Sequence, residues 1–304
     1  MIADLWESGK TLAQIGEAIG YHASTISREL RRNAEPNGEY WCVRAHDQAR
    51  QRRRRGPIKL DEHLVWLISA FLRSDWSPEQ ISGHLRLKRQ IYVSHVSIYA
   101  MIWRDRKQGG KLWRHLRTSY KKRRRRYGCK ADFRPIKNRV SIRKRPRKIN
   151  ERKQIGHWEV DLVEGAHHSG YLAVAVERVT RFVRIGHLKR KHPDGVERRL
   201  IQMLKGYEVK TLTFDNGTEF SCHLRVGKAL NAKTYFCRPY KSWEKGAVEN
   251  MNGLIRQYFP KKTCLVRIPW QSVRAAELKL NERPRKILSY VAPNSFKKQL
   301  LKVG

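Results

Sequence analysis

Acidic residues are scarce in this chain: 27 Asp and Glu stand against 66 Lys and Arg, a net charge of +39 over 304 residues. An imbalance of that size says little about fold but points to a polyanionic partner. Cysteine is sparse as well. Cys42, Cys129, Cys222, Cys237 and Cys264 are scattered, with no Cys-x-x-Cys pair, which argues against a zinc ribbon or disulfide framework and for reduced thiols in a cytoplasm. No run approaches the roughly 18 consecutive apolar residues of a membrane span, and no signal peptide opens the chain. A Gly-x-x-x-x-Gly-Lys phosphate loop is missing, so ATP use is not expected. His157, His167 and His168 lack the helical His-x-x-x-His spacing of a transition-metal site.

The hydrophobic content is 40%, enough for two or three domains with cores of their own. The charge is unevenly placed. Residues 101–150 hold 21 Lys and Arg against 2 acids, whereas residues 151–250 hold 18 against 12. A basic, proline-containing connector therefore precedes a better balanced domain. The runs Arg52–Arg55, Lys121–Arg126 and Arg143–Lys148 read as phosphate contacts on linkers, against the blander reading of solvated, partnerless segments. Such contacts position a protein without reading sequence.

Residues 11–32, TLAQIGEAIGYHASTISRELRR, space Leu12, Ile15, Ala18 and Ile19 on one helix, then Ile26 and Leu30 on a second. Gly20 suits a left-handed turn between them. Ser24 is expected to cap the second helix, exposing Thr25, Ser27, Arg28, Arg31 and Arg32 as a recognition helix would in a major groove. Any short helical hairpin shares that apolar pattern. A second helical segment follows over 64–103. LVWLISAFL is amphipathic, and WSPEQISGHL opens with Ser77 as N-cap, Pro78 at the first helical position and Gln80 closing a capping box. YVSHVSIYAMIW starts again at Ser94, with Ile98, Tyr99 and Ile102 facing inward. This segment reads either as a second DNA-binding module or as a scaffold.

Near residue 155 the periodicity changes to strands: HWEVDLV, YLAVAVE and FVRIGHL. A helix over 196–207, the strand TLTF, the helix CHLRVGKAL, the strand TYFC and a helix from about Val248 follow. That order is the one expected of an RNase-H-like fold. It places Asp161 on the first strand, Asp215 at the end of the fourth and Glu249 on the helix after the fifth, with the first and fourth strands adjacent. Three close carboxylates repel one another unless cations lie between them. Mg²⁺ is a hard ion that takes such oxygen ligands, and two ions can serve an in-line displacement at a phosphodiester. Each residue also has a bland reading: Asp215-Asn216-Gly217 is a turn signal, and Glu249-Asn250 is a plausible helix start. Glu159, Glu164, Glu219 and Glu244 are nearby alternatives. After the last helix start, Tyr240, Trp243, Tyr258 and Phe259 interleave with Lys241, Lys245, Lys261 and Lys262, a pattern able to stack on unpaired bases, with core packing favoured for Tyr258 and Phe259.

The phrases STISRELRRN, WSPEQI, TFDNGTEF, ENMNGLIRQYFPK and LNERPRK, in this order and over nearly the whole chain, resemble the insertion-sequence transposases of the IS-thirty family, of the DDE class. The departures are His157 for an acidic or small residue, Val160 for Gly, and KGAV for RGTN before Glu249. Members also carry about ten further residues of helix ahead of this Met1, so either a misassigned start or a shortened first helix is expected. The resemblance implies an α+β multidomain protein, with helix-turn-helix modules ahead of an RNase-H-like core with a mixed five-stranded sheet. The corresponding divisions are 1–50, 51–117, a basic linker over 118–150, and 151–304. It implies Asp161 as a ligand bridging two Mg²⁺ ions (Mn²⁺ substituting), with Asp215 and Glu249 each completing one site. Ser24, Thr25, Ser27, Arg28, Arg31, Arg32, Trp243, Arg256 and Lys261 become candidate DNA contacts, Arg256 because it lies seven positions after Glu249 on one helix face. The implied activity is cleavage at the terminal inverted repeats of an element and strand transfer from the freed 3′-hydroxyl. A homodimer or larger assembly on double-stranded DNA, in a bacterial cytoplasm at the nucleoid, completes the expectation. A catalytically silent DNA-binding regulator derived from such an enzyme is the main alternative. A nuclease without strand transfer and a basic RNA-binding protein are others.

Overall fold

The computed structural model describes residues 1–35, 37–54, 60–117, 136–239 and 241–301, without the side chains of 52–54, 242 and 243. They form two compact units, Met1–Asp61 and Glu62–Gly304. The run Lys121–Arg126, Arg55, Cys129, Tyr240 and most of the expected 118–150 linker lie outside the described residues.

The first unit contains α1 (Ile2–Glu7), α2 (Leu12–Ile19), α3 (Ala23–Asn33) and α4 (Cys42–Arg54). Thr11 starts α2 with a capping box: its Oγ1 accepts from the Gln14 amide at 3.3 Å, and its own amide donates to Gln14 Oε1 at 2.9 Å. Gly20 ends α2 in the left-handed region, φ +75°. Ile15, Ile26 and Leu30 are buried among Trp6, Leu12, Ile19 and Tyr40, each such side chain contributing roughly 1.5–3 kcal/mol. Two expectations fail here. Ala18 is exposed, because it lies about 100° around the helix from Ile19, off the stripe Leu12–Ile15–Ile19. Gly16 is buried in its neighbourhood instead: an added Cβ would stand 2.4 Å from the Tyr21 carbonyl oxygen, so the turn can fold back only over a bare backbone. The N-cap of α3 is His22 rather than Ser24, its Nδ1 accepting from the Ser24 amide at 3.2 Å.

In the second unit α5 (Glu62–Arg73), α6 (Pro78–Arg89) and α7 (His95–Lys107) come first. Ser77 Oγ accepts from the Gln80 amide at 3.3 Å and the Ser77 amide donates to Gln80 Oε1 at 2.9 Å, so the expected capping box forms. Ser94 caps α7 as expected. Ile98 and Ile102 are buried, but Tyr99 is not: one position on from Ile98 it has turned toward solvent, and Met101 fills the inner face.

The strands are β1 (His157–Glu164), β2 (Tyr171–Glu177), β3 (Val183–Leu188), β4 (Thr211–Phe214) and β5 (Lys233–Phe236). They form one mixed sheet in the order β3-β2-β1-β4-β5, with β2 antiparallel to both neighbours and β1, β4 and β5 parallel. Helices α8 (Pro193–Leu204) and α9 (His223–Leu230) cover one face, and α10 (Gly246–Tyr258) and α11 (Trp270–Glu282) the other. The short α12 (Lys297–Leu300) returns to the first face, Leu300 O accepting from the Glu208 amide at 2.7 Å. Helix α8 begins and ends about three residues earlier than the pattern suggested, because Pro193 occupies its first turn and Gly206 follows its end at φ +86°.

Strand alternation decides which side chains face the site. Trp158 and Val160 pack toward α8 and α9, as do Ala173 and Ala175 of β2. Val163, Leu172, Val174 and Val176 pack toward α10 and α11. The odd-numbered residues of β1, Glu159 and Asp161 among them, therefore face α10. The helical segment contacts this domain through Asp75 with Lys279 at 3.0 Å, Glu79 with Lys286 at 2.8 Å, and Gln257 Nε2 donating to the His115 carbonyl at 3.3 Å.

Candidate active site and recognition helix

Parallel pairing matches Glu159 of β1 with Thr213 of β4, so two residues further on Asp161 stands level with Asp215. The two carboxylates converge on one ammonium. Lys245 Nζ lies 3.3 Å from Asp161 Oδ1 and 3.1 Å from Asp215 Oδ2, and donates to the Val160 carbonyl at 3.2 Å. Lys245 is only 3% exposed. Burial alone would lower its pKa, but Asp161 and Asp215 outweigh it and hold the ammonium above the ordinary lysine value. Burial also pushes the Asp161 carboxyl above the usual aspartate range, against the pull of Lys245. Asp215 Oδ1 accepts from the Gly217 amide at 3.0 Å, the turn that the Asp-Asn-Gly sequence favours.

Glu249 lies in the first turn of α10, exposed and without an ion pair among the described residues. Asp161, Asp215 and Glu249 do not have ligand atoms all within 4.8 Å of one another; among the described residues the one such group is Asp194, Glu197 and Cys222, where Arg225 bridges the two acids. The helix face of Glu249 is the relevant one. Lys245, Glu249, Asn252 and Arg256 follow at spacings of four, three and four, a single stripe. At its start Lys245 reaches both aspartates; Asn252 Nδ2 donates to Asp161 Oδ2 at 2.9 Å. Farther on, Arg256 Nη2 donates to the Glu164 carbonyl at 2.8 Å. Glu249 sits between partners that all touch β1 or its edge.

The rival carboxylates are each engaged elsewhere. Glu159, fully buried, pairs with Arg178 at 3.0 Å and accepts from the Ala247 and Val248 amides at 2.9 and 3.1 Å. It is thus the acceptor for the first turn of α10, satisfying amides that no intrahelical partner can reach. Glu219 pairs with Lys191 and Glu244 with Arg238, while Glu164 contacts His168. His157 is buried against Thr211 Oγ1 at 2.9 Å and Gln154 Oε1 at 3.2 Å, and burial with Arg178 nearby pushes its pKa down to about 4. It is a structural histidine. Sequence reasoning missed Lys245, Asn252 and the role of Glu159.

Asp161 and Asp215 offer hard oxygen donors to a cation position already taken by an ammonium, and Glu249 can be added from α10. That donor set fits a divalent cation such as Mg²⁺.

The chain is 37% identical over 293 residues to the transposase for insertion sequence element IS4351 of Bacteroides fragilis, covering 94% of this chain and 90% of that protein. The chain belongs to the insertion-sequence transposases of the IS-thirty family. Transposase InsI for insertion sequence element IS30A of Escherichia coli is likewise 37% identical, over 94% of this chain and 78% of that protein. The transposase for IS1086 of Cupriavidus metallidurans is 34% identical over 99% and 93%. A helix-turn-helix domain family matches residues 1–33. Among solved structures, the catalytic core domain of BIV integrase covers 47% of this chain and 94% of that one, at 20% identity and a TM-score of 0.39. The strand order β3-β2-β1-β4-β5, with β2 antiparallel to its neighbours, is that of an RNase-H-like sheet. As a transposase the protein is an enzyme of the polynucleotidyl transferase type.

In this transposase α3, within the matched helix-turn-helix region, exposes Ser24, Thr25, Arg28, Arg31 and Arg32, with Ser27 half-buried. Arg28 is folded back on its own helix, Nε donating to the Ser24 carbonyl at 3.0 Å. Lys261 is exposed just beyond α10, and the Trp243 side chain lies outside the described residues. Arg256 differs from expectation: half-buried and donating to the Glu164 and Phe259 carbonyls, it ties α10 to the end of β1 rather than standing free for DNA. Phe259 is buried and Tyr258 packs beside it, as expected. No helix of the described residues is long and apolar enough to cross a membrane.

Proposed function

We propose that α3 binds the terminal inverted repeats of an insertion element and that Asp161, Asp215 and Glu249 carry Mg²⁺-dependent strand cleavage and strand transfer there. The observation that carries this reading is the convergence of Asp161 and Asp215 on one buried cation across β1 and β4. Bound Mg²⁺, with Mn²⁺ able to substitute, supplies activation of the attacking oxygen and stabilisation of the leaving one. Asp161, Asp215 and Glu249 would hold the metal through their carboxylate oxygens. Asn252 holds Asp161 Oδ2, which fixes the carboxylate's orientation before a cation arrives. Lys245 neutralises the pair and would have to yield its position to a bound cation. Water or a freed 3′-hydroxyl serves as nucleophile, with no covalent protein–DNA intermediate and no ATP. The enzyme works on DNA in the bacterial cytoplasm as a homodimer or larger assembly.

A cleavage assay with Mg²⁺ on DNA carrying the element's own ends tests this. Asp161→Asn is expected to abolish cleavage while leaving end binding within about tenfold, because it removes a metal ligand rather than a phosphate contact. Cleavage retained in that variant sinks the assignment. Joining of a pre-cut end with a free 3′-hydroxyl separates a transposase from a simple nuclease. Specific binding with no cleavage by the unsubstituted protein would restore the silent-regulator reading, which nothing in the site favours.

A further inference from the structure

A cavity of about 480 Å³ opens beside the start of α10, on the flank that carries Ala247 and Asn250 rather than the Glu249 stripe. Arg117, Arg152, Arg181, Arg285 and Lys286 line it against a single acid, Glu79. Glu79 is already held by Lys286 at 2.8 Å. Among the described residues Arg117, Arg152, Arg181 and Arg285 have no ion-pair partner. Arg285 is 8% exposed; its Nη2 donates to the Leu280 carbonyl at 2.7 Å, while its Nε, fully buried, has no hydrogen-bond partner.

Such an arrangement is unfavourable in the free protein. A buried donor left unpaired is destabilising, more so for a charged group. Burial, with Arg283 next in effect and Arg117 and Arg181 adding to it, pushes the Arg285 pKa down to about 9. Arg152 and Arg181 also sit at φ +56° and +59°, a backbone region that is strained for a non-glycine residue. An anion with several acceptor oxygens relieves the repulsion among these guanidinium groups. Guanidinium groups bind phosphate through paired N–H donors, and DNA is the polyanion this family acts upon.

We propose that this pocket binds a backbone phosphate of duplex DNA, one helix face away from Glu249, and so fixes the strand relative to the carboxylates. The inference rests on the DNA-acting reading above and adds a contact outside both the recognition helix and the metal ligands.

The test is binding of the full-length chain to a random-sequence duplex, followed by fluorescence anisotropy across a salt series. Each phosphate contact contributes about 0.9 to the slope of log K against log salt. The rim double variant Arg117→Gln/Arg152→Gln is expected to weaken binding about tenfold and flatten the slope by about one unit. The exposed pair Lys205→Gln/Lys228→Gln removes the same charge elsewhere and is expected to change the slope by less than half as much. Arg285→Gln, which keeps a donor for Leu280, is expected to keep its thermal melting and lose binding like the rim double. Should Arg285→Gln fail to fold, the rim pair decides alone. An unchanged slope in the rim double, or equal flattening in both double variants, overturns the proposal. An unsubstituted chain that fails to bind duplex at all overturns the transposase reading itself.

Discussion

Removing the Lys245 ammonium should destabilise the metal-free protein and make it more responsive to metal. In Lys245→Gln two carboxylates lose a cation at 3.3 and 3.1 Å, and Asp161 is left charged with its side chain only 20% exposed. Breaking a fully buried ion pair by removing one partner costs about 3–5 kcal/mol. Asp215 is 41% exposed, so water screens its share, and about 2–3 kcal/mol is the better expectation. For a unit of this size each kcal/mol moves the melting temperature by about 2–4 °C, which predicts a fall of roughly 5–10 °C in EDTA. Magnesium acts in the opposite direction. A site with a dissociation constant of about 1 mM, bathed in about 10 mM Mg²⁺, gains about 1.4 kcal/mol by mass action. The unsubstituted protein gains less, because the metal must first displace the ammonium. Differential scanning calorimetry of both proteins in EDTA and in Mg²⁺ reads all four states. Equal melting in EDTA, together with an equal Mg²⁺ response, would refute the idea that Lys245 holds the cation position.

Three further outcomes follow from the geometry. Arg28→Ala should weaken binding to the inverted repeat more than to random DNA, by roughly 1–3 kcal/mol in a competition assay, since Arg28 lies on the exposed face of α3; equal loss on both makes it a phosphate contact. His157 is neutral when folded, with its pKa at about 4 against an ordinary 6.5. Unfolded chain takes up the proton first, so this contribution is intact above about pH 6.5 and erodes as pH falls toward 4, by up to about 3 kcal/mol; urea unfolding of His157→Gln should show a flatter pH curve, and an equally steep one would count against it. Gly16→Ala forces a Cβ to within 2.4 Å of the Tyr21 carbonyl and should cost about 1–3 kcal/mol, with circular dichroism melting of the first unit as the check.

The strands were readable because period-two runs of valine, alanine and aromatics have few other fates, and the helix starts at Ser77 and Ser94 because their caps are local chemistry. Side-chain partnerships formed across the fold were not readable. Lys245 is one of 66 basic residues, and nothing near it in sequence marks it as the one that folds inward onto two aspartates. Glu159 read as a spare metal ligand because strand parity puts it on the same face as Asp161; only the arrival of α10 shows that its oxygens are spent on backbone amides. Ser24 lost the cap to His22, a residue type whose ring nitrogen rarely enters capping rules. Arg256 was correctly placed on the Glu249 face, yet its reach ends on carbonyls of the same chain.

Glu159 has one more consequence. Because its carboxylate grips the Ala247 and Val248 amides in the first turn of α10 from the same strand that supplies Asp161, the separation between Asp161 and Glu249 is set by one strand and one turn of helix. Among the thirty-three residues joining Asp215 to Glu249, Lys245, Ala247 and Val248 share in that dimension, whereas the exposed turn at Asn231 between α9 and β5 does not. That turn can lengthen or change sequence without detuning the carboxylates, which makes it a place where the enzyme can acquire new surface at little cost to its chemistry.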